Sequence, residues 1–139
     1  MSRIDTNICM AALSDESFTD TQDKPAALSD EHVFALVRNP TESPGSRVAA
    51  PRYLDICLLL EKESGSAEAT VLVWLWVPEM NSGAGKWVPT ATFTVSKDLS
   101  SDHGGAMKID CPRNAAYAAI GVTAITADAT LYTTIFPDN

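Results

Sequence analysis

From residue 50 onward, apolar and polar positions alternate at period two in short runs separated by turn clusters, which is the pattern of half-buried strands. Residues 52–61 place Leu54, Ile56, Leu58 and Leu60 on one face and Tyr53, Asp55, Cys57 and Leu59 on the other. Residues 69–77 set Val71, Val73, Leu75 and Val77 against Leu72, Trp74 and Trp76, so both faces are apolar. A strand of that kind is central in its sheet and covered on both sides, or it turns one face to an interface. A glycine-rich turn at 80–85 leads into residues 87–96, where Ala91, Phe93 and Val95 oppose Thr92 and Thr94. Pro89, which has no N–H to give to a ladder, predicts an edge strand or a bulge there. A loop over 96–105, a short strand at 106–111 and a turn at 112–114 follow. Two more strands are expected. In 115–124, Ala116, Ala118, Ile120 and Val122 share a face; in 129–136, Leu131, Thr133 and Ile135 oppose Tyr132, Thr134 and Phe136.

The N-terminal third reads differently. Residues 31–38 fit a helix capped by Ser29 with Asp30 and Glu31 in its first turn, and they fit a strand as well. The strand is preferred, because Pro40 ends the segment early and all that follows is β. It brings the count to seven, and residues 8–13 are the candidate for an eighth. Seven or eight short antiparallel strands imply an all-β fold, an antiparallel β-sandwich, with the jelly roll as one form of it. Between Ser14 and Asp30 the large apolar residues are only Phe18 and Leu28, too few to offset the entropy of ordering the stretch. Residues 39–46, with two prolines and a Pro-Gly pair, read as a linker. The chain is therefore divided into an extended N-terminal arm and linker over 1–46, which contributes the strand near 31–38, and a sandwich body over 47–139. Ile4, Ile8, Met10, Leu13 and Phe18 are the arm's apolar anchors, read as lying along a neighbour's surface rather than the chain's own domain.

Composition narrows the function. The 139 residues suffice for one core, and 45% hydrophobic with 20% charged residues is ordinary for a globular protein. A net charge of −8, with a pI near 4.5, opposes nucleic-acid binding through phosphates. No apolar run reaches the length that spans a bilayer, and the start MSRIDTNICMAAL has no long apolar stretch for a signal peptide. Cys9, Cys57 and Cys111 are an odd, widely spaced set that suits neither a disulfide framework nor a zinc site, so they are read as small buried or half-buried thiols, Cys57 within its apolar run, made in a reducing cytoplasm.

Catalytic chemistry finds little to work with. The histidines are His32 and His103, and neither adjoins a G-x-S-x-G elbow. Asp98, Asp102 and His103 match no calcium loop, and Gly83 and Gly85 precede no Lys-Ser/Thr as a phosphate loop requires. No enzyme, cofactor or metal is expected. Trp74 and Trp76, two apart on one face, with Trp87, admit a stacking platform for sugars, although their apolar strand favours core or subunit interface.

Residues 52–136, through Val73-Trp74-Leu75-Trp76-Val77, Gly85-Lys86-Trp87-Val88-Pro89 and the closing pair 115–124 and 131–134, resemble the small β-sandwich decoration (cement) proteins of tailed-bacteriophage capsids. The resemblance implies a non-enzymatic virion protein, made in the host cytoplasm. It would sit on the capsid surface bound to the major capsid protein or other virion subunits, as a trimer with arms reaching over its neighbours. Leu72, Trp74 and Trp76 join the five arm residues as the expected interface. The alternatives are a carbohydrate-binding sandwich, or another phage subunit such as a head–tail adaptor, tail or fibre protein.

Overall fold

The computed structural model describes residues 12–37, 40–41, 50–98 and 101–138. Among them run eight strands: β1 (Ser14–Phe18), β2 (Val33–Ala35), β3 (Tyr53–Glu61), β4 (Ala67–Val77), β5 (Lys86–Lys97), β6 (His103–Asp110), β7 (Tyr117–Ile125) and β8 (Thr130–Asp138). They build two four-stranded antiparallel sheets, sheet A in the order β1-β8-β3-β6 and sheet B in the order β2-β7-β4-β5. The first strand pairs with the last, the second with the seventh, the third with the sixth and the fourth with the fifth. That nesting is a jelly roll.

The alternation read from the sequence decides which side chains lie between the sheets. Leu54, Ile56, Leu58 and Leu60 of β3 meet Val71, Val73 and Leu75 of β4, with Ile120 and Val122 of β7 and Leu131 and Ile135 of β8 filling the same layer. Pro89 sits where edge strand β5 shifts register against β4: Trp74 faces Pro89 and Val73 faces Ala91, which leaves Thr90 as the extra residue. The Thr90 hydroxyl donates to the Val73 carbonyl at 2.9 Å and so takes over the broken ladder.

Three elements differ from the sequence reading. The eighth strand among the described residues is β1 at Ser14–Phe18, within the stretch judged too polar to order; of the expected strand at 8–13, residues 8–11 lie outside the described residues. It is an edge strand, so its backbone bonds to β8 hold it, while Phe18, at 3% exposure, supplies its buried apolar side chain beside the buried hydroxyl of Ser14. β1 and β2 both precede residue 46, so the division there does not mark the border of the sandwich. β6 begins at His103, three residues early, because Gly104 and Gly105 pair with Leu59 and Leu58; at Gly104 any Cβ would press on the Leu58 carbonyl.

The β1–β2 connection closes over sheet B. Gln22 exchanges backbone hydrogen bonds with Val122 at 2.9 and 3.1 Å, beyond the short reach of β2 along β7. His32, at φ +65, ends the connection with its ring 4.4 Å from Phe18 and Nδ1 2.8 Å from the Glu16 carboxylate. At the opposite end of β4, Gly85 adopts φ +87 over the Trp76 ring, where a side chain would collide with the indole.

Candidate functional site

Among the described residues, the expected interface residues do not share one surface. Ile4, Ile8 and Met10 lie outside the described residues. Phe18 belongs to the chain's own core and Leu13 packs against it, its N–H donating to the Ile135 carbonyl at 2.7 Å, so neither is an anchor on a neighbour. Leu72, Trp74 and Trp76 share the outer face of sheet B as the alternation requires, yet all three are half-buried by their own chain. Lys24 stands 6.0 Å over the Trp74 ring, and Trp87 meets Trp76 edge-on, with 67° between the ring planes. Trp87 itself is buried at 7% exposure. A flat three-tryptophan platform therefore does not exist.

The other outer face carries what the sequence reading left unassigned. Leu59 and Tyr132, directly opposite in the β3–β8 register, are 40% and 41% exposed, beside the exposed thiol of Cys57. Gly104 and Ala106 of β6 flank them with small side chains.

The surface with mixed chemistry lies where β3 begins and β6 ends, at the seam between edge strands β5 and β6. A groove of about 680 Å³ is lined by Arg52, Tyr53, Thr90, Lys108, Ile109, Asp110, Cys111 and Pro112. Three strands and the register place these residues together. Tyr53 stands opposite Asp110, and the Cys111 N–H donates to the Arg52 carbonyl at 2.9 Å, pinning both backbones at the mouth.

The charges in the groove divide into committed and uncommitted groups. Lys108 Nζ is 2.6 Å from Asp138 and 3.6 Å from Asp55, and it sits 5.2 Å over the Tyr53 ring. The hydrogen bond to Lys108 holds the Asp138 carboxyl below the usual range, and the same bond raises the Lys108 ammonium. Arg52 and Asp110 are both exposed, and among the described residues neither side chain forms an ion pair or a hydrogen bond. Cys111 lines the same groove as a buried thiol, pushed up to about 11 by burial, which leaves it inert as a nucleophile at neutral pH. The groove thus offers one aromatic ring, one free guanidinium, one free carboxylate and a hydroxyl-bearing edge, with no activated nucleophile.

At the far end of the sandwich, Glu61, Lys62, Glu63, Asp102, Asp128 and Thr130 line a basin of about 480 Å³ without an aromatic side chain. Among the described residues, no group of three or more His, Cys, Asp or Glu side chains is placed to hold a metal ion. His103, the histidine considered for catalysis, is an exposed β6 residue opposite Leu60.

No family model matches the chain, and no curated protein matches it. Two solved structures are similar in backbone. One is the CBM22-1–GH10 modules of Clostridium thermocellum endo-1,4-beta-D-xylanase 10B complexed with xylohexaose, at 8% identity and a TM-score of 0.42 over 91% of this chain and 28% of that one. The other is the C-terminal family 22 carbohydrate-binding module of Clostridium thermocellum Xyn10B, at 15% identity and a TM-score of 0.41 over 75% of this chain and 60% of that one. The chain spans less than two thirds of the length of either. Neither is a phage capsid protein, and likeness at this level does not reach to function.

Proposed function

We propose that the protein is a non-catalytic carbohydrate-binding module that takes a sugar in the groove at the β5–β6 seam. One observation carries the reading: the Tyr53 ring stands in an open groove beside a guanidinium and a carboxylate that have no partners among the described residues. Sugar rings present apolar C–H faces that pack on aromatic rings, and hydroxyls that both give and accept hydrogen bonds. Arg52 donates only and Asp110, ionised, accepts only, so together they match both sides of a hydroxyl's bonding. The groove's volume falls in the range of small-ligand sites. Lys108, held by Asp138 and Asp55, stands 5.2 Å over the Tyr53 ring and so forms part of the same wall.

Screening the purified protein against a glycan array, followed by affinity electrophoresis, tests this. Binding that disappears in Tyr53→Ala while the thermal midpoint stays within a few degrees supports the reading. Binding indifferent to Tyr53→Ala, or no binding to any glycan, overturns it.

A second reading keeps the virion role, with the major capsid protein or sister copies as partners in a trimer. Its support is the exposed Leu59–Tyr132 pair on sheet A, not the tryptophan face expected from the sequence. Sedimentation at micromolar concentration would reveal a trimer that Tyr132→Asp dissolves. A monomer that also ignores isolated capsid shells removes the reading.

A further inference from the structure

We infer that the groove selects a sugar bearing a carboxylate, a uronic-acid unit, in preference to its neutral counterpart; this rests on the carbohydrate reading of the same groove. The argument is one of uncommitted charge. In a chain of net charge −8, basic side chains are expected to find acidic neighbours, and Lys108 has found two. Among the described residues Arg52 has none, although Asp110 lines the same groove. A guanidinium left open in a predominantly acidic protein is a ready receptor for a planar anion, because its fork of donors matches a carboxylate two bonds at a time.

The neighbours decide which anion fits. Asp110 repels a simple carboxylate such as acetate, so an anion alone gains from Arg52 and loses to Asp110. A neutral sugar satisfies Tyr53 and Asp110 but leaves the guanidinium facing uncharged hydroxyls. A uronic-acid unit carries all three complementary features on one ring: an apolar face for Tyr53, hydroxyl donors for Asp110 and a carboxylate for Arg52. The Arg52 backbone is anchored by the Cys111 N–H, so its side chain springs from a fixed point. Exposed Arg113, just past Pro112, adds positive charge where the chain leaves the groove.

The experiment compares trigalacturonic acid with its methyl ester, which keeps rings and linkage and removes the charge, by calorimetry and amide chemical shifts. The acid is expected to bind about tenfold more tightly than the ester, the scale of one charge-assisted hydrogen-bonded pair. Rising salt should weaken the acid alone. Arg52→Met should weaken the acid more than the ester and so bring the two to similar affinity, and Arg52→Lys should restore part of the difference. Acetate should not compete. Equal affinity for acid and ester, or a ratio that Arg52→Met leaves unchanged, overturns the inference while the carbohydrate reading stands. Failure of both probes together with all array glycans overturns both.

Discussion

Tyr53 of β3 and Asp110 of β6 are direct register partners on the outer face of sheet A, although 57 positions separate them along the chain. Their adjacency sets an aromatic ring next to a carboxylate at the end of an edge strand, where no further strand covers them. The seam with β5 then supplies the opposite wall through Thr90, which faces the groove because Pro89 displaced it from the ladder.

Among the described glycines, Gly85 is the one where an added Cβ would meet the closest neighbour. Gly85→Ala combines a positive φ with a collision against the Trp76 ring, and should cost about 2–4 kcal/mol in urea unfolding. Trp76→Leu in the same background should recover part of the loss, since a smaller side chain frees the space. Additive losses in the double variant would rule out the collision as the cause.

In the core, Leu75→Ala should destabilise by about 2–5 kcal/mol, because Leu75 is fully enclosed between the sheets and leaves a cavity behind. Thr133→Val should do the reverse. The Thr133 hydroxyl is buried with no hydrogen-bond partner among the described residues, so exchanging it for a methyl removes a desolvation penalty of about 1 kcal/mol or more. A lower denaturation midpoint for Thr133→Val would show that the hydroxyl is bonded after all.

The Lys108–Asp138 pair predicts a pH dependence with two limbs. The Asp138 carboxyl is lowered on folding, so its stabilisation is present above about pH 3.9 and is lost as pH falls through the folded value. Lys108 is raised, so its share is complete below about pH 10.4 and is lost as pH rises through the folded value. Both groups are exposed and the effect on stability is small. A carboxyl-detected NMR titration should show Asp138 moving up toward the ordinary range in Lys108→Met. An Asp138 titration unchanged by that substitution would contradict the pairing.

The thiols should separate by reactivity. Cys57 is exposed on sheet A, whereas Cys111 is buried with its thiol pushed up to about 11. At pH 7.5, maleimide should label Cys57 within minutes and leave Cys111 unmodified until the protein is unfolded, as read by peptide mass spectrometry. Native labelling of Cys111 would mean that the groove floor opens.

Reading the alternation alone recovers most strands of the body, and Pro89 correctly announces an edge and a bulge. Both follow from local chemistry: a period-two pattern has one way to bury a face, and a proline without an N–H cannot serve a central ladder. β1 escapes that reading because its sequence, Ser14 to Phe18, is polar, and an edge strand can be held by backbone hydrogen bonds that carry no sequence signature. β6 starts early for a related reason, since Gly104 and Gly105 are loop residues by composition and strand residues only because β3 is there to pair with them.

The sequence by itself therefore determined the sandwich, its inner face and the acidic surface, because burial pattern and charge are properties of consecutive residues. Which outer face stays open was decided only in three dimensions. Leu72, Trp74 and Trp76 look like the exposed set on paper, but all three are half-buried, with Lys24 of the β1–β2 connection over Trp74 and the Gly85 turn against Trp76. Leu59 and Tyr132, unremarked in their own strands, are left facing solvent. The groove is the extreme case: Tyr53, Thr90 and Asp110 come from three strands, with Arg52 just before the first of them, and their meeting depends on strand order and register. Those are set by long-range pairing, which no local window of the chain contains.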